Sequence, residues 1–460
     1  MQIPRQSNIY HNVLKCPRFT RRCFIVCLGW SGALFRAQSF FGSSALRRIS
    51  VRDFDAKGDG TTVDTVAIQK AIDACSNLGG GTVQVPPGRY VTGTILLKSG
   101  VTLDLSSGAT LLGSLNPADY RLLEPFVDGV GVDRGYALIG CIDARQVRVS
   151  GRGIIDGRGA ALQAAGGNIP AAKPFLLRCL RSSGLVVEGV SLVNSSAWTF
   201  HISQCSKVRV SGVSIRSLGL ANNDGIDIDS SQDVQVEACT IETGDDAICL
   251  KTTSVEPCKD ITVMGCTLST RCAAFKIGTE SAGDFSGIRV RDCHVIEARL
   301  GAIKLLSVDG AHITDVLVEN IRVDDADTPI FMRLGARGRT FQPDAVARPV
   351  GTLSGVVIRD VKVKQARRIG ILLAGIPDHP IQNVSLQRIA MTMIGDTVTR
   401  IPPEPFDNPS AYPEVRMFGS DLPASGIYGC HIRGLRMSQI AIQDIAGDAR
   451  PHESFLDSQP

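Results

Sequence analysis

Five aspartates lie in two short runs of the sequence, residues 222–229 (NNDGIDID) and residues 244–251 (GDDAICLK). Both runs are built on the same frame of isoleucine and leucine. Aspartates that lie side by side can form a polar ladder, a metal site or a pair that acts as acid and base. Which chemistry applies depends on the fold that brings the two runs together.

A repeat surrounds the two acidic runs and predicts that fold. One slot recurs along the chain as GVSL (189–192), GVSI (212–215), ACTI (238–241), GCTL (265–268) and DCHV (292–295), mostly at steps of 23 to 28 residues. Short alternating segments separated by Gly, Asn, Asp and Ser indicate strands rather than helices. A repeat of this size with about three short strands favours a parallel β-helix, whose coils stack at roughly 4.8 Å. Leucine-rich repeats would show an asparagine-anchored leucine pattern, and a β-sandwich would keep no fixed period.

The two ends of the stack are predicted from other patterns. Residues 64–74 (DTVAIQKAIDA) place Val66 or Ile68, together with Ile72 and Cys75, on one helical stripe. Such an amphipathic helix is suited to cover the exposed end of a coil stack. Residues 401–429 are rich in proline and aromatics and predict a long loop over the stack, before a last coil at 434–442. We expect one domain over residues 46–460.

Charge and cysteine content exclude several classes of protein. The formal net charge of the 460 residues is +4 and no Lys/Arg run is present, so nucleic acid is not an expected partner. The 14 cysteines include no CxxC pair that would indicate zinc. Cys239, Cys266 and Cys293 are 27 residues apart. We expect them to stack in neighbouring coils as buried free thiols, because free cysteine behaves as a small hydrophobe.

The N-terminal segment differs from the repeats. Residues 20–35 (TRRCFIVCLGWSGALF) join an arginine pair to an apolar stretch of about a dozen residues, too short to span a bilayer comfortably. This order predicts an export signal of the twin-arginine type over residues 1–45, and therefore a periplasmic or extracellular protein. An uncleaved anchor and a misassigned start are the alternatives.

Alignment of the acidic runs on their aliphatic pairs predicts which residues are neighbours. It sets Ile226 and Ile228 over Ile248 and Leu250, and the next coils continue with Phe275 and Ile277, then Ile303 and Leu305. Asp224 then lies beside Asp246, and Asn223 lies beside Asp245. The outward positions of the four coils are Asp227, Cys249, Lys276 and Lys304. Because unpaired charges among the isoleucines would be costly, we expect the strands to begin only after Gly225 and Ala247.

Asp224, Asp245 and Asp246 would then share the edge of one face. Carboxylates this close repel one another, which raises the pKa of at least one and allows an acid to persist beside an ionised base. Hydrolysis of a glycosidic bond requires such a pair, and nearby lysines would suit a substrate with carboxylates of its own. The alternative is a structural ladder of Asp and Asn, with Asp229 paired to Lys251.

The series NNDGIDID, GDDAICLK, FKIG (275–278) and AIK (302–304), with NSSAWTF (194–200) upstream, resembles glycoside hydrolase family 28. The segments VRDFDAKGDGTTVDTVAIQKAID and GGGTVQVPPGRY also resemble the N-terminal part shared by many bacterial pectin-active β-helices. The resemblance implies an all-β, single-stranded right-handed parallel β-helix with a short N-terminal capping helix. It also implies an inverting hydrolase of pectic polysaccharide, such as a polygalacturonase or a rhamnogalacturonase.

The resemblance further implies roles for single residues. Asp245 falls on the usual general acid, while Asp224 and Asp246 fall on the aspartates that hold the attacking water. Lys304 falls on the lysine that meets the substrate carboxylate, and Lys276 is a candidate for the same contact. The remaining expected substrate-binding residues are Asn222 and Asp227.

Two departures bear on specificity. Ala273 and Ala302 stand where the family usually has histidine and arginine, which favours exo-acting or rhamnogalacturonan-type specificity. No cofactor or metal is expected, and the partner is expected to be an acidic plant cell-wall polysaccharide bound by a monomer.

Two other classes fit a β-helix. A pectate lyase would need acidic calcium ligands and an arginine base on one face, and it would release unsaturated products. A non-catalytic glycan-binding β-helix would keep the coil stack and bind sugar without releasing product, but it has no need of three acids at one edge.

Overall fold

The computed structural model describes residues 47–167 and 169–459, which form a parallel β-helix. The predicted export signal at 1–45 lies outside the described residues. Apart from one antiparallel hairpin, the strand ladders are parallel, and each coil adds one strand to each of three faces. Among the described residues, no helix has the length and apolarity needed to span a bilayer.

The first two faces stack coil on coil without contributing to the acidic site. The strands of the first face are Arg48–Ser50, Gly81–Val85, Val101–Leu105, Arg148–Gly151, Ser183–Glu188, Ser206–Ser211, Gln232–Glu237, Cys258–Met264, Phe285–Arg291 and His312–Ile313. The strands of the second face are Asp59–Val63, Gly88–Thr92, Ala109–Gly113, Ile154–Asp156, Ser191–Val193, Ser214–Ser217, Thr240–Thr243, Thr267–Thr270 and His294–Ala298. Later strands bend from the first face into the second, namely Val316–Ala326, Thr352–Ala366, Ile381–Met393 and Arg436–Gln443.

The third face carries the two acidic runs. Its strands are Ile95–Leu97, Asp133–Ile142, Phe175–Leu180, Phe200–Ser203, Ile226–Asp229, Ile248–Thr252, Ala273–Ser281, Gly301–Ser307, Ile330–Leu334, Ile371–Ala374, Ile427–Arg433 and Glu453–Gln459. Their pairing follows the predicted alignment: Ile226 pairs with Ile248, which pairs with Phe275, which pairs with Ile303. The outward series Asp227, Cys249, Lys276 and Lys304 is likewise in register. The predicted β-helix register is therefore confirmed.

Helix α1 (Thr65–Asn77) lies at the N-terminal end of the stack, as predicted. Its buried stripe is Ile68, Ala71, Ile72 and Cys75, whereas Val66 is exposed. The stripe therefore runs through Ile68 and not through Val66. It contacts the strands of the first coils and shields their apolar interior from water.

The cysteine stack is also confirmed. Cys239, Cys266 and Cys293 are buried free thiols. The backbone stacks them coil on coil, since Thr267 N donates to Cys239 O and His294 N donates to Cys266 O, each at 2.9 Å. The period of 27 residues thus returns the same side chain to the same place in successive coils.

Four features were missing from the sequence prediction or differ from it. An antiparallel strand, Arg121–Val127, pairs with Asp133–Ile142 and projects a hairpin over the third face. A second helix, α2, spans Gly159–Gly166. The coil at 434–442 is not the last, because Glu453–Gln459 adds one more strand. Short 3-10 helices occupy Val51–Phe54, Pro117–Asp119, Pro170–Ala172 and Val415–Phe418.

The predicted loop over the stack is present and lies across the third face. Its carboxylates bind cations of that face: Asp407 contacts Arg333 at 2.7 Å, and Glu414 contacts Lys304 at 2.6 Å. Val415 and Phe418 pack into a small core with Phe331 and Leu372 of the third face. These contacts hold the loop beside the acidic runs.

Candidate active site

A small cavity of about 40 Å³ lies on the third face between the hairpin and the loop. Its floor contains Asp224, Asp245 and Asp246, which the coil stack brings together from two turns. A volume of this size holds one or a few water molecules. The cavity thus combines three carboxyl groups with room for water, as hydrolysis requires.

The three aspartates occupy the turns that precede two paired strands, Ile226–Asp229 and Ile248–Thr252. The backbone pairing begins at the turn itself, because Gly225 N donates to Asp246 O at 2.8 Å. The strands themselves start at Ile226 and Ile248, so the expectation that they begin only after Gly225 and Ala247 is confirmed. Asp224 and Asp246 are almost fully buried, whereas Asp245 is only partly buried. Of the three carboxyl groups, Asp245 is the most accessible to a ligand.

Asp246 is held as a carboxylate. Its Oδ2 lies 2.7 Å from Lys276 Nζ, and its Oδ1 accepts a hydrogen bond from Ala273 N at 3.1 Å. Burial alone would raise the pKa of Asp246, but the charges of Lys276 and Lys251 outweigh it and lower the pKa to about 2. A carboxylate that stays ionised over the working pH range is always in the form that can accept a proton or a hydrogen bond from water.

The pKa of Asp224 is shifted in the opposite direction. Burial, reinforced by the charges of Asp227 and Asp245, raises the pKa of Asp224 well above its usual value. Lys251 Nζ contacts Asp224 Oδ2 at 3.4 Å, but Oδ1 is buried without a hydrogen-bond partner in the described chain. Burial of Asp224 and the lysine charges beside Asp246 therefore separate the pKa values of these two acids, and the repulsion predicted from the sequence reinforces the shift of Asp224.

Lys251 connects the acids of the site. Its Nζ lies 3.2 Å from Asp227 Oδ1 and 3.8 Å from Glu280 Oε2, and it sits 3.8 Å from the centre of the Trp198 ring. The ion pair between Lys251 and Asp229, which belonged to the alternative of a structural ladder, is not formed. Asp229 instead binds His201 Nε2 and Thr253 Oγ1.

The structure divides the predicted substrate-binding residues into two groups. Asn222 and Lys276 line the cavity, whereas Asp227 and Lys304 do not. Asp227 is fully buried beneath the cavity, and Lys304 is fully buried with its Nζ on Glu414. The expectation that Asp227 and Lys304 present their charges on the open face is therefore corrected, because other charged groups of the chain already cover them.

Comparison with known proteins adds to this geometry. The family model of glycosyl hydrolases family 28 matches residues 75–405. The chain belongs to this family. It is therefore a glycosidase, and the resemblance inferred from the acidic motifs is confirmed.

Relatives and solved structures agree with this assignment. A "Probable polygalacturonase" of Vitis vinifera is 27% identical over 74% of this chain and 74% of its own length. An "Exo-poly-alpha-D-galacturonosidase" of Dickeya chrysanthemi is 31% identical over 65% of this chain, which spans 55% of that protein. The structure of a Yersinia enterocolitica family 28 exopolygalacturonase aligns with a TM-score of 0.70 at 20% identity, covering 90% of this chain and 78% of its own. The last similarity confirms the fold, a right-handed β-helix of the pectin-lyase-like type.

Several residues of this family 28 site were not found from the sequence. Asp128, Gly129 and Val130 come from the hairpin, Glu280 from the next coil and Tyr412 from the loop. Of these, only Glu280 follows an aligned strand closely enough to have been suspected. The others reach the cavity from segments without a repeat pattern, so the register gave no indication of them.

One further cluster bears on metal binding. Asp245, Asp246 and Cys272 each place a potential ligand atom within 4.8 Å of the others. Both oxygens of Asp246 are already bonded, one to Lys276 and one to the backbone of Ala273. A cation here would have to displace the ammonium of Lys276, so the arrangement does not favour a resident metal.

Asp227 provides a test of the buried charges. Burial raises the pKa of Asp227 to about 7, against the opposing effect of the Lys251 ammonium, which lies 3.2 Å from Asp227 Oδ1. A raised carboxyl pKa means that the folded state binds the proton more tightly, so stability is lost as pH rises from about 4 through 7. We expect the free energy of unfolding of Asp227→Asn to exceed that of the parent by roughly 1–4 kcal/mol between pH 5 and pH 8.

Chemical denaturation of both proteins at a series of pH values measures this change in the free energy of unfolding. The matched control is Asp233→Asn, which changes an exposed aspartate of a neighbouring strand. It should leave the pH dependence unaltered. A constant difference between Asp227→Asn and the parent across the pH range would contradict the prediction.

Proposed function

We propose that this hydrolase cleaves the α-galacturonosyl bonds of pectic polysaccharide from a chain end, with inversion. The observation that carries the proposal is the three-aspartate cavity, in which Asp246 lies 2.7 Å from the Lys276 ammonium, Asp224 is buried with a raised pKa, and Asp245 is the one of the three that is partly exposed. Acid and base are thus present together within one small site.

The three carboxyl groups take different roles in this proposal. Asp245 protonates the leaving glycosidic oxygen, because it is the carboxyl group that a bulky sugar chain can approach. Asp246 accepts a proton from the attacking water, and Asp224 donates a hydrogen bond that orients the same water. Asp245 Oδ1 accepts from Asp246 N at 2.9 Å, which fixes the donor relative to the base.

The substrate class is supported by the cations of the site and by the relatives. Lys276 lines the cavity with its ammonium on Asp246, and Lys251 lines it beside Asp224 and Glu280. A uronate carboxylate that enters the cavity would meet these ammonium groups, and charge-assisted contacts of this kind are strong. The names of the Vitis and Dickeya relatives point to galacturonan as the polymer.

Attack from a chain end is supported by the hairpin, whose tip crosses the site. Gly129 N donates to Glu280 Oε1 at 2.8 Å. Gly129 O accepts from Arg337 and Arg339, which follow the strand Ile330–Leu334. The contact is close, since a Cβ on Gly129 would lie 2.9 Å from the Glu280 carboxyl carbon. A bridge at this place blocks the passage of a polymer along the face, so only a chain end can reach the acids.

The cellular setting follows from the substrate and the N-terminal sequence. We propose that residues 1–45 export the protein, in the twin-arginine manner, to the periplasm or the outside of the cell. The remaining residues, 46–460, act as one catalytic domain and as a monomer. Plant cell-wall polysaccharide is then the accessible substrate.

Product analysis tests the proposed function. The enzyme is incubated with homogalacturonan and with rhamnogalacturonan, and the products are sized and examined for ultraviolet absorption. We expect saturated mono- or digalacturonate from homogalacturonan from the first minutes. Unsaturated products would indicate a lyase, products from rhamnogalacturonan alone would reassign the substrate, and binding without any product would indicate a non-catalytic protein.

A shortened hairpin tests the proposed mode of attack. In the variant, a two-residue Asn-Gly turn joins Val127 directly to Asp133, which pair across the hairpin. Loss of the tip removes the bridge from Gly129 to Glu280, Arg337 and Arg339. We expect longer oligomers among the products and a faster fall in polymer viscosity per bond cleaved.

The control is the rate of trigalacturonate cleavage, because this short substrate needs no open cleft. We expect that rate to fall little in the shortened variant. An unaltered product pattern in the shortened variant would show that the hairpin does not decide between end and internal attack.

A further inference from the structure

A second and larger cavity lies on the third face, on the other side of the hairpin. Its volume is about 360 Å³, and it shares no lining residue with the catalytic cavity. A volume in this range accommodates a small ligand. Its lining includes Phe126, Arg178, Arg181, His201, Ser203 and Gln204. Glu124 also lines it, with both carboxylate oxygens bound to Arg181.

An aromatic wall separates the two cavities. The Trp198 ring, which lines the catalytic cavity, lies 5.2 Å from the His201 ring and 5.9 Å from the Phe126 ring, both of which line the second cavity. Trp198 and His201 are buried, so the wall is a packed part of the structure. The two cavities are therefore separate depressions of the same face, divided by buried aromatic rings.

Arg178 lies under the second cavity as a buried cation. It is 3% exposed, and its guanidinium donates to the backbone oxygens of Leu123 and Glu124. Its Nε is buried without a hydrogen-bond partner, and its guanidinium carbon lies 5.0 Å from the centre of the Phe126 ring and 5.3 Å from that of Phe175. Among the described residues, no carboxylate lies within ion-pair distance of Arg178, while Asp229 and Glu124 act on it only at longer range.

Other buried arginines of the chain are paired. Arg134 binds Asp128 at 2.8 Å, Arg333 binds Asp407 at 2.7 Å, and Arg337 binds Asp309 at 2.5 Å. A buried charge is normally paired, because its desolvation is costly. Arg178 differs from these arginines because no carboxylate of the described chain neutralises it, although it lines an open cavity. This difference points to an anionic ligand.

The remaining lining describes the rest of that ligand. Ser203, Gln204 and Gln342 offer hydrogen-bonding groups, while Phe126 offers an apolar surface. His201 donates through Nε2 to the Asp229 carboxylate, and burial lowers the pKa of His201 to about 4, so the ring is neutral. Its Nδ1 is then a buried acceptor without a partner. Hydroxyl groups and a flat apolar side, together with an anion, are the features of a uronic acid.

We infer that the second cavity binds a uronic acid residue, with its carboxylate directed to Arg178 and its hydroxyl groups to the polar lining. The ligand is either a free product of hydrolysis or the end of an oligosaccharide. The inference rests on the proposed function only in the identity of the sugar, since the proposed substrate is a chain of uronates. The site would hold product or a second chain beside the catalytic cavity.

Calorimetric titration of the unaltered protein with D-galacturonate tests this inference, because the monomer binds without being cleaved. We expect two binding events, with neutral D-galactose failing to give the second. Ser203→Phe should fill the cavity and remove one event while leaving kcat unchanged. The matched control is Ser214→Phe, at an exposed position of the second face, which should retain both events.

A second variant addresses the charge. Arg178→Met should weaken the binding of galacturonate in the second cavity by about tenfold or more, since a hydrogen bond to a charged group is lost. If Arg178→Met fails to fold, Ser203→Phe alone decides. Repetition with digalacturonate distinguishes the two sources, because tighter binding of the dimer would indicate a chain end.

A single binding event in the unaltered protein, or two events that survive Ser203→Phe, would overturn the inference. Failure of the proposed function would look different. In that case homogalacturonan would not be hydrolysed, whereas the galacturonate event sensitive to Ser203→Phe would still be present.

Discussion

Asp245→Asn is expected to lower kcat on homogalacturonan by about 10²–10⁴-fold, the usual contribution of a general acid. The substitution keeps the size of the side chain, and Oδ1 can still accept the hydrogen bond from Asp246 N. Folding should therefore be preserved, which thermal unfolding and circular dichroism would verify. The loss is chemical, because asparagine has no proton to give to the leaving oxygen.

A substrate with an activated leaving group separates the role of Asp245 from those of its neighbours. An aryl galacturonide with a dinitrophenol leaving group departs without protonation, so Asp245→Asn should recover most of the parent activity on it. Asp224→Asn and Asp246→Asn should remain slow, since they still lack the water-binding function. Recovery of activity on the aryl galacturonide in Asp246→Asn but not in Asp245→Asn would show that Asp246 is the acid and Asp245 the base. Near-parent activity of Asp245→Asn on the polymer would show that Asp245 has no catalytic role.

Lys276→Met is expected to have the second large effect. It should change both the pH dependence of the hydrolysis rate and the free energy of unfolding. Lys276 and Asp246 form a buried pair at 2.7 Å, and Lys276 is the strongest of the charges that lower the pKa of Asp246. Without that charge the pKa of Asp246 should rise, and the acid limb of the rate profile should move upward by about one to three pH units. The base would then be protonated where the parent is active.

The same pair should contribute to the free energy of unfolding. The folded-state pKa of Asp246 lies below its ordinary value, so the stabilisation is present above about pH 4 and is lost as pH falls toward 2. Removal of one partner of a buried pair costs about 3–5 kcal/mol. The difference between parent and Lys276→Met should therefore be largest near neutral pH and shrink in acid.

Lys259→Met is the matched control, because Lys259 makes an exposed contact with Asp260. Such pairs contribute about 0–1 kcal/mol, so the control should resemble the parent in stability and rate profile. An acid limb that does not move in Lys276→Met would show that another charge keeps Asp246 ionised, with Lys251 as the candidate.

The amino-acid sequence alone predicts the coil stack, its register and the proximity of the three acids. Inward aliphatic residues at a fixed period leave little choice of register, because a slip by one residue would expose the core of the stack. The alignment of Ile226 with Ile248, Phe275 and Ile303 therefore followed from the pattern alone. The proximity of Asp224 to Asp246 followed from the same alignment.

The groups that surround these acids could not be predicted from the repeat pattern and become apparent in the folded chain. The hairpin at Asp128–Val130 and the loop with Tyr412 and Glu414 carry no repeat, so their places depend on contacts distant in sequence. Glu414 reaches Lys304 across 110 residues and covers a charge that the register alone left open to substrate. Periodic packing encodes neighbours along the stack, whereas these segments are positioned by individual ion pairs and side-chain contacts, which leave no period in the sequence.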